Sequence, residues 1–300
     1  MKILVSGSAG LVGSALVPSL AGDGFEVVRL VRARTAAAPG TIAWDPEGGW
    51  IDPGALEGFD GVVHLAGDNI ASGRWSRAKK ERIRRSRVEG TRLLSEALSR
   101  LSRPPRVLVC ASAIGYYGSR GDEVLREESP PGNDFLAGVC REWEGAAEPA
   151  ARRGIRAVHL RFGVILSATG GALARMLPPF RLGAGGIAGS GRQVLSWITL
   201  DDAVGAIRHA LSTEALRGAV NAVAPGPVTN REFTRILGSV LRRPTLLPVP
   251  AFALRLAFGE MADALLLSSA RVEPARLLAA GYRFRHPDLE TALRHLLGTK

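Results

Sequence analysis

Three glycines, Gly7, Gly10 and Gly13, follow the apolar run Lys2–Ser6 with the spacing G-x-x-G-x-x-G and open a helical pattern over residues 11–22. No other feature narrows the fold as much. The first glycine allows a tight turn, the second lets a pyrophosphate approach the backbone, and the third lets helix and strand pack closely. The helix start at Leu11, Val12 and Gly13 then offers unpaired amide donors and a partial positive charge to an anion. A bare glycine pattern is weak, but its strand–turn–helix setting, with a second strand following at the right distance, makes it a strong sign of a dinucleotide site.

The second strand, Glu26–Val31, bears on which dinucleotide. An NAD site usually ends this strand on an acid that binds the adenosine ribose. Here the chain runs instead into Arg32 and Arg34. A guanidinium there can pair with a 2′-phosphate, so NADP(H) is expected over NAD(H).

Along the first half, short apolar runs alternate with helical stretches, as in βαβ units around a parallel sheet. Strands are expected at Gly40–Trp44, Gly61–Leu65, Arg106–Cys110 and Ile155–Leu160, and helices over 76–101 and 134–152. His64 reads as a packed strand histidine. Ala66 and Gly67 follow it as small residues that leave room for the nucleotide. Residues 166–192 are rich in glycine and proline and read as an excursion from the sheet, to which Leu195–Ile198 and Ala219–Val223 are expected to return around a helix over 201–212. Beyond residue 225 the chain reads as mainly helical. The expected architecture is α/β: a doubly wound, parallel-sheet Rossmann domain over 1–224, with 165–193 reaching toward a small helical lobe at 225–300.

The formal net charge is +11, yet lysine occurs only at positions 2, 79, 80 and 300. In the densest basic run, Arg74 to Arg87, a helix would point the charges in nearly every direction. That suits a solvated helix with one side toward the nucleotide better than a nucleic-acid stripe, and no nucleic-acid motif accompanies it. No segment approaches the ~18 apolar residues of a membrane span. With Cys110 and Cys140 as the only cysteines, a disulfide framework is not expected, and a cytoplasmic location is. No residue stands out as a metal ligand. The chain is expected to act on a small molecule as a monomer or homodimer.

Further motifs are Leu65-Ala66-Gly67, Arg74-Trp75-Ser76, Ser112-Ala113-Ile114-Gly115-Tyr116-Tyr117-Gly118, Arg161-Phe162-Gly163-Val164, Gly189-Ser190-Gly191-Arg192-Gln193 and Ser196-Trp197-Ile198 before Asp201-Asp202. With them the chain resembles the extended, epimerase-like branch of the short-chain dehydrogenase/reductases, and within it the atypical subfamily of epimerase family proteins. The stretch Pro248–Leu296, with Gly259-Glu260 and Arg271-Val272-x-Pro274, resembles the domain of unknown function that closes that subfamily. The resemblance implies a Rossmann core, NADP(H), a substrate pocket between core and C-terminal lobe, and further cofactor contacts at Arg87, Ser112, Phe162 and Gly163. It implies no particular substrate.

Ordinary superfamily members pair a tyrosine with a lysine four residues later, whose charge lowers the phenol pKa from about 10 toward a useful range. The corresponding stretch here is Phe135-Leu136-Ala137-Gly138-Val139-Cys140-Arg141-Glu142-Trp143-Glu144. One register puts Leu136 and Cys140 at the two positions, and a shift by one puts Phe135 and Val139 there. Neither restores the pair. Ser112 is expected near the nicotinamide, although the family's catalytic hydroxyl aligns more often with Ala113. Tyr117 matches a substrate-positioning tyrosine, Arg161 and Arg192 could hold an anionic substrate, and Asp201 and Asp202 could cap a helix. Two readings remain: an NADP(H)-dependent oxidoreductase or epimerase-like enzyme working on a carbonyl or hydroxyl compound with Ser112 and Tyr117 near the reacting centre, and a non-catalytic NADP(H) binder.

Overall fold

Because helices cover both faces of a parallel sheet, its inner strands read as unbroken apolar runs. The computed structural model of the chain describes residues 1–32 and 38–299. β1 (Lys2–Ser6) feeds α1 (Leu11–Gly22), followed by β2 (Glu26–Arg32), β3 (Thr41–Asp45) and the short β4 (Trp50–Ile51). Next come β5 (Gly61–His64), α2 (Arg77–Ser99), β6 (Val107–Ala113), β7 (Val124–Leu125), α3 (Phe135–Gly145), α4 (Glu148–Arg152) and β8 (Arg156–Phe162). The second half contributes β9 (Val164–Leu166), α5 (Gly171–Arg181), β10 (Val194–Leu195), β11 (Trp197–Thr199), α6 (Leu200–Ser212) and β12 (Gly218–Ala222). The chain finishes with β13 (Val228–Thr229), α7 (Asn230–Leu241), α8 (Ala251–Phe258), β14 (Arg271–Val272), α9 (Ala275–Ala279) and α10 (Leu289–Leu297).

The main sheet has the order β12-β8-β6-β5-β1-β2-β3-β4. All its neighbours are parallel except β3 and β4. Ile3, Val5, Val63 and Val109 pack on α1 and α6 through Leu16, Leu20 and Ile207. Leu4, Val62 and Leu108 pack on the opposite face against Leu94 and Leu98 of α2 and Ala150 of α4. Strand order reverses across β1 and β5, so a crevice opens beyond their carboxyl ends, where open α/β sheets bind ligands.

After β8 the structure departs from expectation. A Cβ on Gly163 would come within 2.6 Å of the Ser196 carbonyl oxygen, so this glycine is required by close backbone passage. The chain leaves the sheet there. β9 pairs with β11, and β10 with β13, in two small separate ladders. The Leu195–Ile198 run therefore does not return to the main sheet, whereas β12 does. The glycine- and proline-rich excursion also contains a helix, α5, with Pro178 and Pro179 inside it. A third core joins α5 (Leu173, Leu177) to α7 (Phe233, Leu237) and α10 (Leu289, Leu293).

The start of α6 ties this lobe to the sheet. Thr199, not an aspartate, is the N-cap, accepting from the amide of Asp202 at 3.1 Å. Asp202, fully buried, accepts instead from the Thr199 hydroxyl (3.1 Å), the Tyr282 hydroxyl (3.1 Å) and the amides of Arg285 (2.8 Å) and His286 (3.0 Å). Gly205 leaves room for the Tyr282 hydroxyl, against a helix-interior cost of about 1 kcal/mol. Among the described residues no helix is long and apolar enough to cross a membrane.

Candidate functional site

The carboxyl ends of β1, β5, β6 and β8 bring the glycine turn, the Leu65–Gly67 segment, Ser112 and Phe162 to one edge of the sheet. Gly7 has φ +68°, and a Cβ there would come 2.7 Å from the Leu65 carbonyl carbon. A Cβ on Gly13 would overlap the Gly7 carbonyl oxygen. Gly10 caps α1 without a side chain, so the first-turn amides of Leu11, Val12 and Gly13 have no side-chain acceptor. This bare, positively polarised helix start fits a pyrophosphate.

Two cations lie on neighbouring elements, α2 and β2. Arg87, on α2, packs its guanidinium 3.3 Å from where a Gly67 Cβ would stand. It donates to the carbonyls of Asp68 (3.0 Å) and Ile83 (3.1 Å) and lies 5.1 Å from the Trp143 ring centroid. Among the described residues no carboxylate pairs with it, and burial lowers its pKa. A partly buried guanidinium bonded only to neutral groups suits a phosphate neighbour. Arg32 ends β2 and is exposed, while Arg34 lies outside the described residues. Phe162, 7% exposed, belongs to the core on the α1/α6 face.

Beside this cradle, one register row crosses three strands: Ser112 of β6 opposite Arg161 of β8, and Arg161 opposite Asn221 of β12. Glu144, on α3, closes over the row. Its carboxylate accepts two parallel bonds from Arg161, both 2.8 Å, and a third from the Ser112 hydroxyl at 2.7 Å. Arg161 also donates to the Tyr117 hydroxyl at 2.9 Å, and that hydroxyl donates to Asn221 Oδ1 at 2.7 Å. The guanidinium stacks 3.4 Å from the Tyr116 ring centroid. Burial opposes the charge on Arg161, but the paired bonds and charge of Glu144 outweigh it and raise its pKa above the ordinary guanidinium value.

Tyr117 is 0% exposed. Burial pushes its phenol up to about 12 despite the Arg161 charge. It stays protonated at neutral pH, with its hydroxyl turned inward between Arg161 and Asn221. Arg161, expected as a possible holder of an anionic substrate, is committed to Glu144 and 3% exposed. Arg192 is exposed on its loop. Ser112 is itself 3% exposed.

One face of α3 turns toward the end of β6. Leu136 faces Gly115, the Cys140 thiol lies 3.8 Å from the Ala113 carbonyl, and Glu144 meets Ser112. Residues 136, 140 and 144 form the helix face turned to the end of β6. Burial raises the Cys140 thiol to about 12, which makes it an inert small hydrophobe.

Neither Glu144 nor Asn221 stands out from the sequence as a site residue. The i, i+4, i+8 spacing from Leu136 through Cys140 to Glu144 was the available signal for the former. The Arg74-Trp75-Ser76 and Gly259-Glu260 motifs, far apart in sequence, meet at the lobe boundary. Lys80 bridges to Glu260 at 2.9 Å and lies 5.2 Å from the Phe135 ring, which packs edge-on against Trp75.

Over residues 3–222 the chain matches the NAD dependent epimerase/dehydratase family, and over 249–296 a domain of unknown function, DUF1731. It is 45% identical to an epimerase family protein of Mycobacterium tuberculosis, covering 97% of this chain and 96% of the relative. The crystal structure of human epimerase family protein SDR39U1 with NADPH superposes at TM-score 0.91 with 35% identity, covering 99% of both chains. A nucleoside-diphosphate sugar epimerase from Corynebacterium glutamicum superposes at TM-score 0.81 with 38% identity, covering 99% of this chain and 58% of the other.

Proposed function

The chain belongs to the NAD dependent epimerase/dehydratase family, and from that premise we propose that it is an NADP(H)-dependent oxidoreductase or epimerase-like enzyme acting on a small carbonyl or hydroxyl compound. The cofactor reading rests on the bare start of α1, the unpaired Arg87, the basic strand end at Arg32, and the NADPH of the human relative. Gly7, Gly10, Leu11, Val12 and Gly13 hold the pyrophosphate, Ala66 and Gly67 line its passage, and Arg32 with Arg34 takes the 2′-phosphate. Replacing Arg32 by aspartate is expected to weaken NADPH binding roughly ten- to a hundredfold, the worth of one charge-assisted bond, with little change for NADH. Unchanged NADPH affinity in a fluorescence titration would remove Arg32 from the site.

The observation that carries the catalytic reading is the Ser112–Glu144 bond clamped by Arg161. Bound NADP(H) supplies hydride transfer. The Ser112 hydroxyl gives its hydrogen to Glu144, which leaves its oxygen lone pairs to accept from a substrate hydroxyl. A proton leaving that hydroxyl passes to Ser112 as the serine proton passes to Glu144, and reduction runs the relay backward. Arg161 offsets the carboxylate charge and fixes its angle, while Tyr117 and Asn221 hold Arg161. This relay takes the place of the missing tyrosine–lysine pair.

Adding aldehydes, ketones and quinones to the NADPH-loaded protein should reveal turnover with at least one, falling about a hundredfold or more in Glu144→Gln at unchanged NADPH affinity. The second reading, a non-catalytic NADP(H) binder, draws on the missing pair and the inert Cys140. Tight NADPH binding without turnover across the panel would favour it.

A further inference from the structure

Away from the cofactor edge, three side chains from separate parts of the chain converge where the C-terminal helix meets the first turn of α6. We propose that Asp201, His286 and His295 bind a divalent transition-metal ion of the zinc class. One carboxylate oxygen and one nitrogen from each imidazole lie within 4.8 Å of one another. Asp201 Oδ2 is 3.0 Å from His295 Nε2 and 3.8 Å from His286 Nε2. Zinc bonds of about 2.0–2.1 Å at a tetrahedral angle place neighbouring ligand atoms roughly 3.3 Å apart. The two separations bracket that value.

Protons alone account for the cluster less well. The 3.0 Å contact is a hydrogen bond, but 3.8 Å is too long for one. His286 thus directs its Nε2 toward an oxygen that it does not reach. The two rings stack at 4.3 Å, 23° from parallel, so seating both nitrogens on one ion requires them to turn apart. An ion between the three groups satisfies both nitrogens and the carboxylate together. Two imidazoles and one carboxylate suit zinc, cobalt or nickel rather than magnesium or calcium, and water completes the coordination.

The scaffold holds its donors in place. Asp201 sits in the first helical turn behind the Thr199 cap. The backbone amides of Arg285 and His286 are fixed by the buried Asp202 carboxylate at 2.8 and 3.0 Å, a support of the kind that orients metal ligands from the outer shell. Of the chain's five histidines, His64 and His159 serve the sheet and His209 contacts the Ala280 carbonyl. The remaining two meet here. An ion at this point closes α10 onto α6 and so joins the C-terminal lobe to the nucleotide domain.

The test uses the untagged full chain, stripped with EDTA and titrated with zinc chloride against a chromophoric chelator, then with cobalt chloride. The expected result is one ion per chain, a visible cobalt absorption band, and a thermal midpoint that rises with zinc by mass action. His295→Gln, exposed at the end of α10 and confirmed as folded by circular dichroism, should weaken zinc at least tenfold and lose the band and the midpoint rise. Equal zinc affinity in the wild type and in the His286→Gln/His295→Gln double variant would overturn the proposal. So would wild-type binding no tighter than roughly millimolar, which would leave the cluster as an ion pair only.

Discussion

Replacing Arg161 by methionine is expected to destabilise the protein by about 3–5 kcal/mol, the usual consequence of stranding one partner of a buried ion pair. Arg161 and Glu144 expose only 4% and 14% of their side chains. Without the guanidinium, Glu144 keeps one bond from Ser112, and the Tyr117 hydroxyl loses its charged donor. The companion variant Arg161→Met/Glu144→Leu removes both charges and should recover most of the loss, because well-packed apolar pairs often equal buried ion pairs in stability. Urea unfolding of the three proteins gives the comparison. A single-variant cost below about 1 kcal/mol would mean that the clamp is better solvated than its burial indicates. If the double variant recovers stability while turnover stays absent, the clamp serves the reaction and not the fold.

Acid should destabilise the chain through a different residue. His64 is 0% exposed, its Nδ1 lies 2.6 Å from the Ser6 hydroxyl, and its Nε2 has no hydrogen-bond partner among the described residues. Burial lowers its pKa from the ordinary 6.5 to about 4. The unfolded imidazole takes its proton near 6.5, so between these values the unfolded state carries more protons and stability rises with pH. The contribution is whole above pH 6.5 and is lost as pH falls toward 4, by about 3 kcal/mol in all. His159, also lowered by burial, acts in the same direction. Unfolding at about pH 7.5 and about pH 4.5 should show a steep loss in the wild type that His64→Gln largely removes. Parallel pH slopes in the two proteins would place the acid sensitivity elsewhere.

What could be read from the residues followed the range of the interactions involved. The glycine turn and strands β1, β5 and β6 depend on local spacing and on unbroken apolar runs, and both are visible without tertiary contacts. Past Gly163 that local signal misleads. Leu195–Ile198 has the composition of a sheet strand, but the close passage at Ser196 diverts it to β9. Pro178 and Pro179 hide α5 because they sit inside an otherwise apolar-periodic helix. The clamp was harder still, since Ser112, Glu144, Arg161 and Asn221 meet only when strand register and helix phase are both fixed. The same applies to Asp202: its sequence position suggested a cap, and only the fold shows its partners in residues 282–286.

Those partners bear on how such a chain can be shortened or recombined. Asp202 belongs to the helix that backs the nucleotide sheet, yet most of the donors to its carboxylate arrive from beyond residue 280. A chain ending earlier would leave that carboxylate with Thr199 as its one remaining donor of the four described. The C-terminal lobe is therefore no detachable accessory. It completes the solvation of the nucleotide half, and an exchange of lobes between relatives succeeds only if the incoming segment brings an equivalent set of donors.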